Sequence, residues 1–222
     1  MYYLHHKQLG SEPNTVAPIL KSKLSNYPFI SRALDGRILF VGEGNLSFSL
    51  SIAGSIGRFY SDIVATTYEK PAALSIDAKR NAYALQKSGA SVFHDIDCTK
   101  LDQIFPDVGF DTIVFQFPNV GSRQPKYGRN PNHHLLTRFL RSSHGCLNPD
   151  GEVAITIVNR PHYEGAFDVD NAAQKSEFDY PEEFKFEPKR FSGYSHVNTN
   201  DENESALSRF RSFRTWVFRS RI

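Results

Sequence analysis

The stretch from Ile38 to Ala53 constrains this chain more than any other part of it. Four apolar residues, Ile38-Leu-Phe-Val41, have the length and character of a buried strand. Gly42 and Gly44 then make a turn almost without side-chain bulk. From Leu46 the apolar spacing changes to Leu46, Leu50, Ala53, a helical period. A strand, a glycine turn and a helix in that order place free backbone N–H groups at a helix N-terminus, where an anion or the polar edge of a nucleoside approaches closely. Glycine supplies the backbone freedom, and Asn45 and Ser47 are good capping residues. The segment is expected to hold a nucleotide-like ligand; the plainer alternative is a tight structural turn.

Departures from known phosphate loops narrow the ligand. The dinucleotide fingerprint, G-x-G-x-x-G, needs a third glycine for close helix–strand packing, and Ser47 stands there instead. Glu43 lies between the two glycines. A carboxylate at that point repels pyrophosphate but accepts from an ammonium, which suits the amino-acid end of S-adenosylmethionine (SAM) better than NAD. No G-x-x-x-x-G-K-[ST] occurs, so a P-loop is excluded.

From Arg37 onward, strand and helix patterns alternate, the mark of a parallel sheet covered on both faces. The predicted strands are Ile38–Val41, Ile63–Tyr68, Ser91–His94, Thr112–Phe117 and Glu152–Val158. Helices are expected up to about Ile56, over Pro71–Ser88 and over Asn132–Cys146, and Asn148-Pro-Asp-Gly151 reads as a turn. After Pro161 the pattern weakens to a helical stretch near Asp168–Ser176 and a strand near Phe184–Phe191. A final strand, Phe213–Arg219, shows Phe213, Thr215 and Val217 alternating against Arg214, Trp216 and Phe218. Residues 1–36 read as an N-terminal arm and 37–222 as one domain, since 222 residues do not force a second.

The words Val41-Gly-Glu-Gly-Asn-Leu-Ser-Phe-Ser49 and Phe110-Asp-Thr-Ile-Val-Phe-Gln-Phe-Pro-Asn-Val-Gly121 resemble a specific family. It is the Rossmann-like domain of the yeast-type large-subunit ribosomal RNA uridine-N3 methyltransferases, which also occurs as an uncharacterised bacterial domain. The similarity runs from about Arg37 to Phe218. It implies an α/β, Rossmann-like class I SAM-dependent methyltransferase fold, mostly parallel with a C-terminal antiparallel hairpin, and SAM as cofactor. Family members carry an aromatic where Leu46 stands, and Asn-Phe-Pro-His where this chain has Gln116-Phe-Pro-Asn119. The second departure falls where substrate selectivity is expected.

In such a sheet, ligands sit at the carboxyl ends of the strands, where the strand order reverses. The expected cofactor residues are Gly42, Glu43, Gly44, Asn45 and Ser47 at the first bend, then Tyr68 and Glu69 after the second strand. Asp97 and Cys98 follow the third strand and Gln116 ends the fourth. Glu69 is placed to accept both ribose hydroxyls, or else is a carboxylate favoured by a helix dipole. Asp97 is placed to accept from the adenine amino group, and His94-Asp-Ile-Asp-Cys-Thr-Lys-Leu101 resembles the family's third motif. No metal is required, because the sulfonium already makes the methyl group electrophilic.

Gln116, Phe117, Pro118 and Asn119 are the expected acceptor clamp: an amide fixes a base edge and an aromatic gives a stacking surface. The alternative is that Phe117 is core and Pro118 merely ends the strand. An imide nitrogen such as uridine N3 also needs a base, or a stabiliser of its anion. His162, Tyr163 and His196 are candidates for the base, and Arg160 for the stabiliser. Arg123, Lys126 and Arg129 lie in the loop directly after the clamp and are expected to grip the substrate; a flexible connection is the alternative.

A net charge of +2 is too small for a general nucleic-acid binder, but it is unevenly spread. Arg123, Lys126, Arg129, Arg138 and Arg141 lie in a stretch without acids, and so do Arg209, Arg211, Arg214, Arg219 and Arg221. These are either a phosphate-binding rim or a solvated surface balanced by acids elsewhere. Cys98 and Cys146 lack metal-ligand spacing and read as reduced packing residues, while His5-His6 and His133-His134 read as solvated or capping. No apolar run approaches the roughly 18–20 residues of a membrane span, and the N-terminus lacks the apolar core of a signal peptide. The expectation is a cytoplasmic protein with neither membrane nor metal. Its leading activity is methyl transfer to a nucleobase nitrogen, most plausibly uridine N3 of rRNA or another RNA. A small-molecule acceptor and a non-catalytic SAM-binding module are the alternatives.

Overall fold

The computed structural model describes residues 30, 36–56, 60–122, 124–197 and 205–221. The expected N-terminal arm, apart from Ile30 and Gly36, lies outside the described residues, as do His5, His6 and Arg123. Strands β1 (Ile38–Val41), β2 (Ile63–Thr66), β3 (Ser91–Phe93), β4 (Phe110–Gln116), β5 (Leu147–Val158), β6 (Glu182–Phe186) and β7 (Phe213–Arg219) form one sheet in the order β3-β2-β1-β4-β5-β7-β6. The first five run parallel, and β7 lies antiparallel between β5 and β6. The sheet is thus mostly parallel with an antiparallel C-terminal pair, as the resemblance implied. Because β1 has β2 on one side and β4 on the other, the order reverses there and a crevice opens at their carboxyl ends.

Helices α1 (Ser47–Ile56), α2 (Ile76–Lys87), α3 (Leu101–Ile104), α4 (Pro131–His144), α5 (Pro161–Phe167), α6 (Val169–Lys175) and α7 (Ala206–Arg209) accompany the sheet. Alternation along β1 sends Ile38 and Phe40 into one core cluster and Leu39 and Val41 into the other. On the first face, Phe48 of α1 meets Phe40 edge to face at 5.8 Å and reaches Phe191 and Tyr194 beyond β6, each at 4.9 Å. On the second, Phe139 of α4 packs on Phe115 at 5.1 Å. Each such ring contributes about 1.5–3 kcal/mol by burial, so slipping a strand by one residue would forfeit several at once. No helix among the described residues is long and apolar enough to cross a membrane.

Several boundaries differ from the expected ones for local reasons. β2 ends at Thr66, and Thr67 Oγ1 donates to Glu69 O (2.9 Å) to turn the chain. The helix expected from Pro71 is a 3-10 turn, Pro71–Ala73, followed by a fresh start at Ile76, where Ser75 Oγ accepts the Ala78 N–H (3.1 Å). The turn Asn148–Gly151 is absorbed as an irregularity within β5, because Phe110 pairs with Leu147 and Thr112 with Glu152. The helix expected near Asp168–Ser176 is α6, while α5 before it was not expected; Asp168 in the left-handed region (φ +47°) separates the two. β6 stops at Phe186, and Pro188–Arg190 forms a 3-10 turn where the strand was expected to run on.

Candidate cofactor and acceptor sites

At the end of β1, Gly42 turns with φ +63°, which favours glycine, and a Cβ there would crowd the Phe115 ring at 3.1 Å. Its N–H meets Thr66 Oγ1 at 3.2 Å, and the Glu43 N–H donates to Thr66 O at 2.9 Å, which ties the turn to β2. Glu43 then folds back over α1, where its Oε1 accepts the Ser49 N–H (3.0 Å). Asn45 Oδ1 accepts the Ser47 N–H (3.1 Å). The helix N-terminus expected to face an anionic ligand is therefore taken by two side chains of its own turn. The helix begins at Ser47 rather than Leu46, because Leu46 is held at φ +59°. A buried leucine in that region is backbone strain stored beside the crevice.

The other carboxylate oxygen, Glu43 Oε2, is buried with no hydrogen-bond partner among the described residues. Burial pushes this carboxyl up to about 7, against opposing hydrogen bonds from Ser49 and Phe48. The Tyr194 hydroxyl is likewise buried and unpartnered, raised well above the usual phenol range by burial and then by Glu43. Gln116 at the end of β4 has neither amide atom satisfied. All three side chains line one cavity of about 740 Å³ at the carboxyl ends of β1 and β4. Unmet buried polar groups are rare and costly, so their convergence marks a place built for a ligand.

Gly42, Gly44, Asn45, Tyr68, Asp97 and Cys98 also line this cavity. Asp97 Oδ1 accepts from the Thr99 N–H (2.9 Å) and hydroxyl (2.7 Å). Burial works against its charge, but Thr99 and Lys100 outweigh it and hold the carboxyl below its ordinary value. The Cys98 thiol is pushed up to about 12 by burial and by Asp97, which makes it a packing group. Glu69 stands half-buried after Tyr68 and is not part of the cavity lining. Ser47 is not part of it either. Its hydroxyl donates to Ser195 O (2.8 Å) and accepts the Ser195 N–H (3.1 Å), while Asn45 Nδ2 donates to Ser195 O (2.9 Å). These two residues clasp the segment that carries Tyr194 and His196.

A second cavity of about 300 Å³ adjoins the first. Phe117, Asn119 and His196 line both, and the rings of Phe117 and His196 meet edge to face. Phe117 holds φ +52°, a second strained position at the crevice. Pro118 and His162 line the smaller cavity, with Tyr163 beside them and Arg209 of α7. No carboxylate is among its lining residues. His196 Nδ1 lies 3.0 Å from Ser205 Oγ, and burial lowers this imidazole to about 4, so it is neutral at physiological pH.

The remaining expected residues are dispersed. Arg160 is exposed and lines neither cavity. Lys126 is exposed, and Arg129 pairs with Asp168 at 2.8 Å. Of the five C-terminal arginines, Arg209 lines the smaller cavity and three are balanced by acids. Arg214 pairs with Glu183 (2.7 Å), Arg219 with Glu182 and Glu152, and Arg221 with Asp179 (3.5 Å). Tyr194 lines the larger cavity without being among the expected site residues, and Arg138, expected only as part of a basic rim, lines it too. The aromatic-and-glycine cluster Ser192-Gly-Tyr-Ser-His196 was the available signal for Tyr194. No group of three or more His, Cys, Asp or Glu suited to a metal ion occurs among the described residues.

Comparison with known proteins agrees with this architecture. The family described as rRNA (uridine-N3-)-methyltransferase BTM5-like matches residues 39–198. The Mus musculus ferredoxin-fold anticodon-binding domain-containing protein 1 homolog is 38% identical over 128 residues, 56% of this chain and 20% of that protein. The chain thus matches only about a fifth of that relative's length. Among solved structures, the N-methyltransferase NodS from Bradyrhizobium japonicum WM9 superposes with a TM-score of 0.54 at 11% identity, covering 90% of this chain and 97% of that one. The Burkholderia thailandensis 1,6-didemethyltoxoflavin-N1-methyltransferase, with its substrate and S-adenosylhomocysteine bound, gives 0.52 at 12% identity, covering 92% and 81%. At such identities the likeness is one of fold, that of Rossmann-like methyltransferases. With the match running from residue 39 to residue 198, the chain belongs to the rRNA (uridine-N3-)-methyltransferase BTM5-like family.

Proposed function

We propose that the protein is a SAM-dependent methyltransferase acting on a nucleobase nitrogen, with uridine N3 of ribosomal or another RNA as the acceptor. The observation that carries this reading is the convergence of three buried, unpartnered polar groups, Glu43, Tyr194 and Gln116, on one cavity beside a second that lacks carboxylates. Glu43 Oε2 accepts from the ammonium of the cofactor's amino-acid end, next to the glycine cradle at Gly42, and Tyr194 closes the same end. Asp97 accepts from the adenine amino group, and Glu69, next to the lining residue Tyr68, is assigned to the ribose. When bound, SAM supplies a methyl group made electrophilic by its sulfonium.

The chain's own residues orient the acceptor and manage its proton. Asn119 and Gln116 fix the edge of a planar base, and Phe117 gives it a face. An imide nitrogen reacts through its anion, so a pocket without carboxylates, with Arg209 on its wall, favours it over an amine that gains positive charge. Neutral His196, a weak base at about 4, accepts a hydrogen bond from the imide N–H on Nε2 when Ser205 Oγ takes the Nδ1 hydrogen. His162, across the small cavity, is the candidate to take that proton.

The test is incubation with methyl-labelled SAM and separate RNA and small-molecule fractions from cells lacking the protein. Label at an imide nitrogen of RNA is the expected result. A small heteroaromatic acceptor is the second reading, favoured by the modest volume of the smaller cavity, about 300 Å³, and label in the small-molecule fraction would replace RNA by it. Cofactor binding with label in neither fraction would leave a non-catalytic SAM-binding module.

A further inference from the structure

We infer that Tyr127 is a stacking platform for the nucleotide flanking the acceptor base in single-stranded RNA, an inference that rests on the RNA reading above. The Lys126 N–H donates to Arg129 O (2.8 Å) and the Arg129 N–H donates back to Lys126 O (3.1 Å), closing a two-residue hairpin. Its central residues, Tyr127 and Gly128, have φ of +51° and +72°. That is the backbone of a turn in which asparagine, aspartate or glycine is normal at the first central position. Tyrosine is a bulky side chain for left-handed backbone, and such an outlier calls for a reason.

Packing does not supply one. Tyr127 is 83% exposed, and its ring contacts are an edge-to-face approach to His134 at 6.0 Å and Lys126 Nζ at 5.5 Å. The hairpin beneath it is nevertheless held firmly. Arg129 is ion-paired to Asp168 (2.8 Å), and Lys126 O lies 2.7 Å from His134 Nε2 on α4. The structure therefore spends backbone strain and two anchors on presenting an aromatic face to solvent.

Position says what that face meets. Asn119 and Gly121 before the hairpin, and Asn130 and Asn132 after it, all line the small cavity. The hairpin thus projects from the rim of the acceptor pocket. A lone heteroaromatic acceptor filling that pocket has no extension to reach it, whereas a polynucleotide carries a neighbouring base on each side of the target. Every base has a π-face, and stacking on tyrosine tolerates any sequence. Lys126 and Arg129 flank the ring, in a stretch from Val120 to Asn148 without a single acid; Arg129 is already matched by Asp168, so Lys126 is the cation beside the ring for a connecting phosphate.

The experiment uses a short single-stranded RNA with one uridine flanked on both sides by 2-aminopurine, bound by the whole protein without cofactor. Wild type is expected to quench the 2-aminopurine fluorescence on binding. Tyr127→Asn keeps the turn geometry and removes the ring; it should lose the quenching and bind roughly tenfold more weakly, with an unchanged melting temperature. Tyr127→Trp should restore both. In the methylation assay the Asn variant should show a raised KM for this RNA with kcat nearly unchanged. Tight, quenched binding by Tyr127→Asn equal to wild type would overturn the stacking assignment while leaving RNA as the acceptor. A wild-type protein that binds SAM but neither binds nor methylates any RNA would remove the RNA reading itself, and the platform with it.

Discussion

Phe117 and His196 meet edge to face with ring centroids 4.8 Å apart, and both line the larger and the smaller cavity, so they contribute to the wall the two share. One arrives at the end of β4, the other on the clasped segment beyond β6. A group on one side of this wall and a planar ring on the other are brought to adjacent faces of the same two side chains.

The ligand-free protein should be stabilised by Glu43→Gln at alkaline pH. The native carboxyl keeps its proton up to about pH 7, whereas the unfolded one loses it near 4.5. Between those values the native state holds the extra proton, so this group's stability contribution, complete below pH 4.5, drains away as pH rises through 7. Wild type and variant should match near pH 4.5 and diverge by on the order of 3 kcal/mol at pH 8. The variant should also bind SAM about 1–3 kcal/mol more weakly. Urea melts across that range check the first part, and pH-independent differences would contradict it.

His196 acts with the opposite sign in nearly the same window. Its native value of about 4 lies below the ordinary 6.5, so its contribution is complete above pH 6.5 and lost as pH falls towards 4. Burial lowers His94 and His133 in the same direction, so the total acid loss is shared. Subtracting the His196→Asn stability curve from that of wild type isolates the one residue. The difference should shrink on acidification from pH 6.5 to 4; a flat difference would be the wrong result.

Gln116→Leu should separate folding from function. Both amide atoms lack partners among the described residues in a buried position, so an apolar side chain of similar volume removes a desolvation cost of about 1–3 kcal/mol. Thermal denaturation should show a melting temperature equal to or above that of wild type, with methyl transfer reduced by roughly 10- to 1000-fold. A destabilised yet active variant would show that the amide serves the core instead.

Asn45→Ala should loosen the late segment without touching the sheet. Asn45 Nδ2 donates to Ser195 O and lies 3.2 Å from Ser195 Oγ, while its Oδ1 caps α1. The expected cost is about 1–2 kcal/mol of stability, with faster amide hydrogen exchange over Ser192–His196 and weaker SAM binding. Exchange confined to the start of α1 would mean the cap matters and the clasp does not.

Much of this architecture is legible from residue pattern alone. Ile38–Val41 and Phe213–Arg219 declare themselves because burial and alternation are local properties of those strings. Gly42 announces its turn for the same reason. The absorption of Asn148–Gly151 into β5 is hidden, because it depends on what β4 does across the sheet, and the short α5 ahead of Asp168 shows no clear apolar period in the sequence. The site shows the same division. Glu43 stands out as an acid between glycines, yet its use as a cap on Ser49 needs the fold. Tyr194 joins it only because Asn45 and Ser47 grip Ser195 some 150 positions away, a contact that no local spacing encodes.

The most direct test is a crystal structure of the protein soaked with S-adenosylhomocysteine. The account predicts ligand density with its amino group on Glu43 Oε2 beside Gly42 and Tyr194, and its adenine towards Asp97. A ligand bound elsewhere, or a crevice that remains empty at saturating concentration, would contradict it.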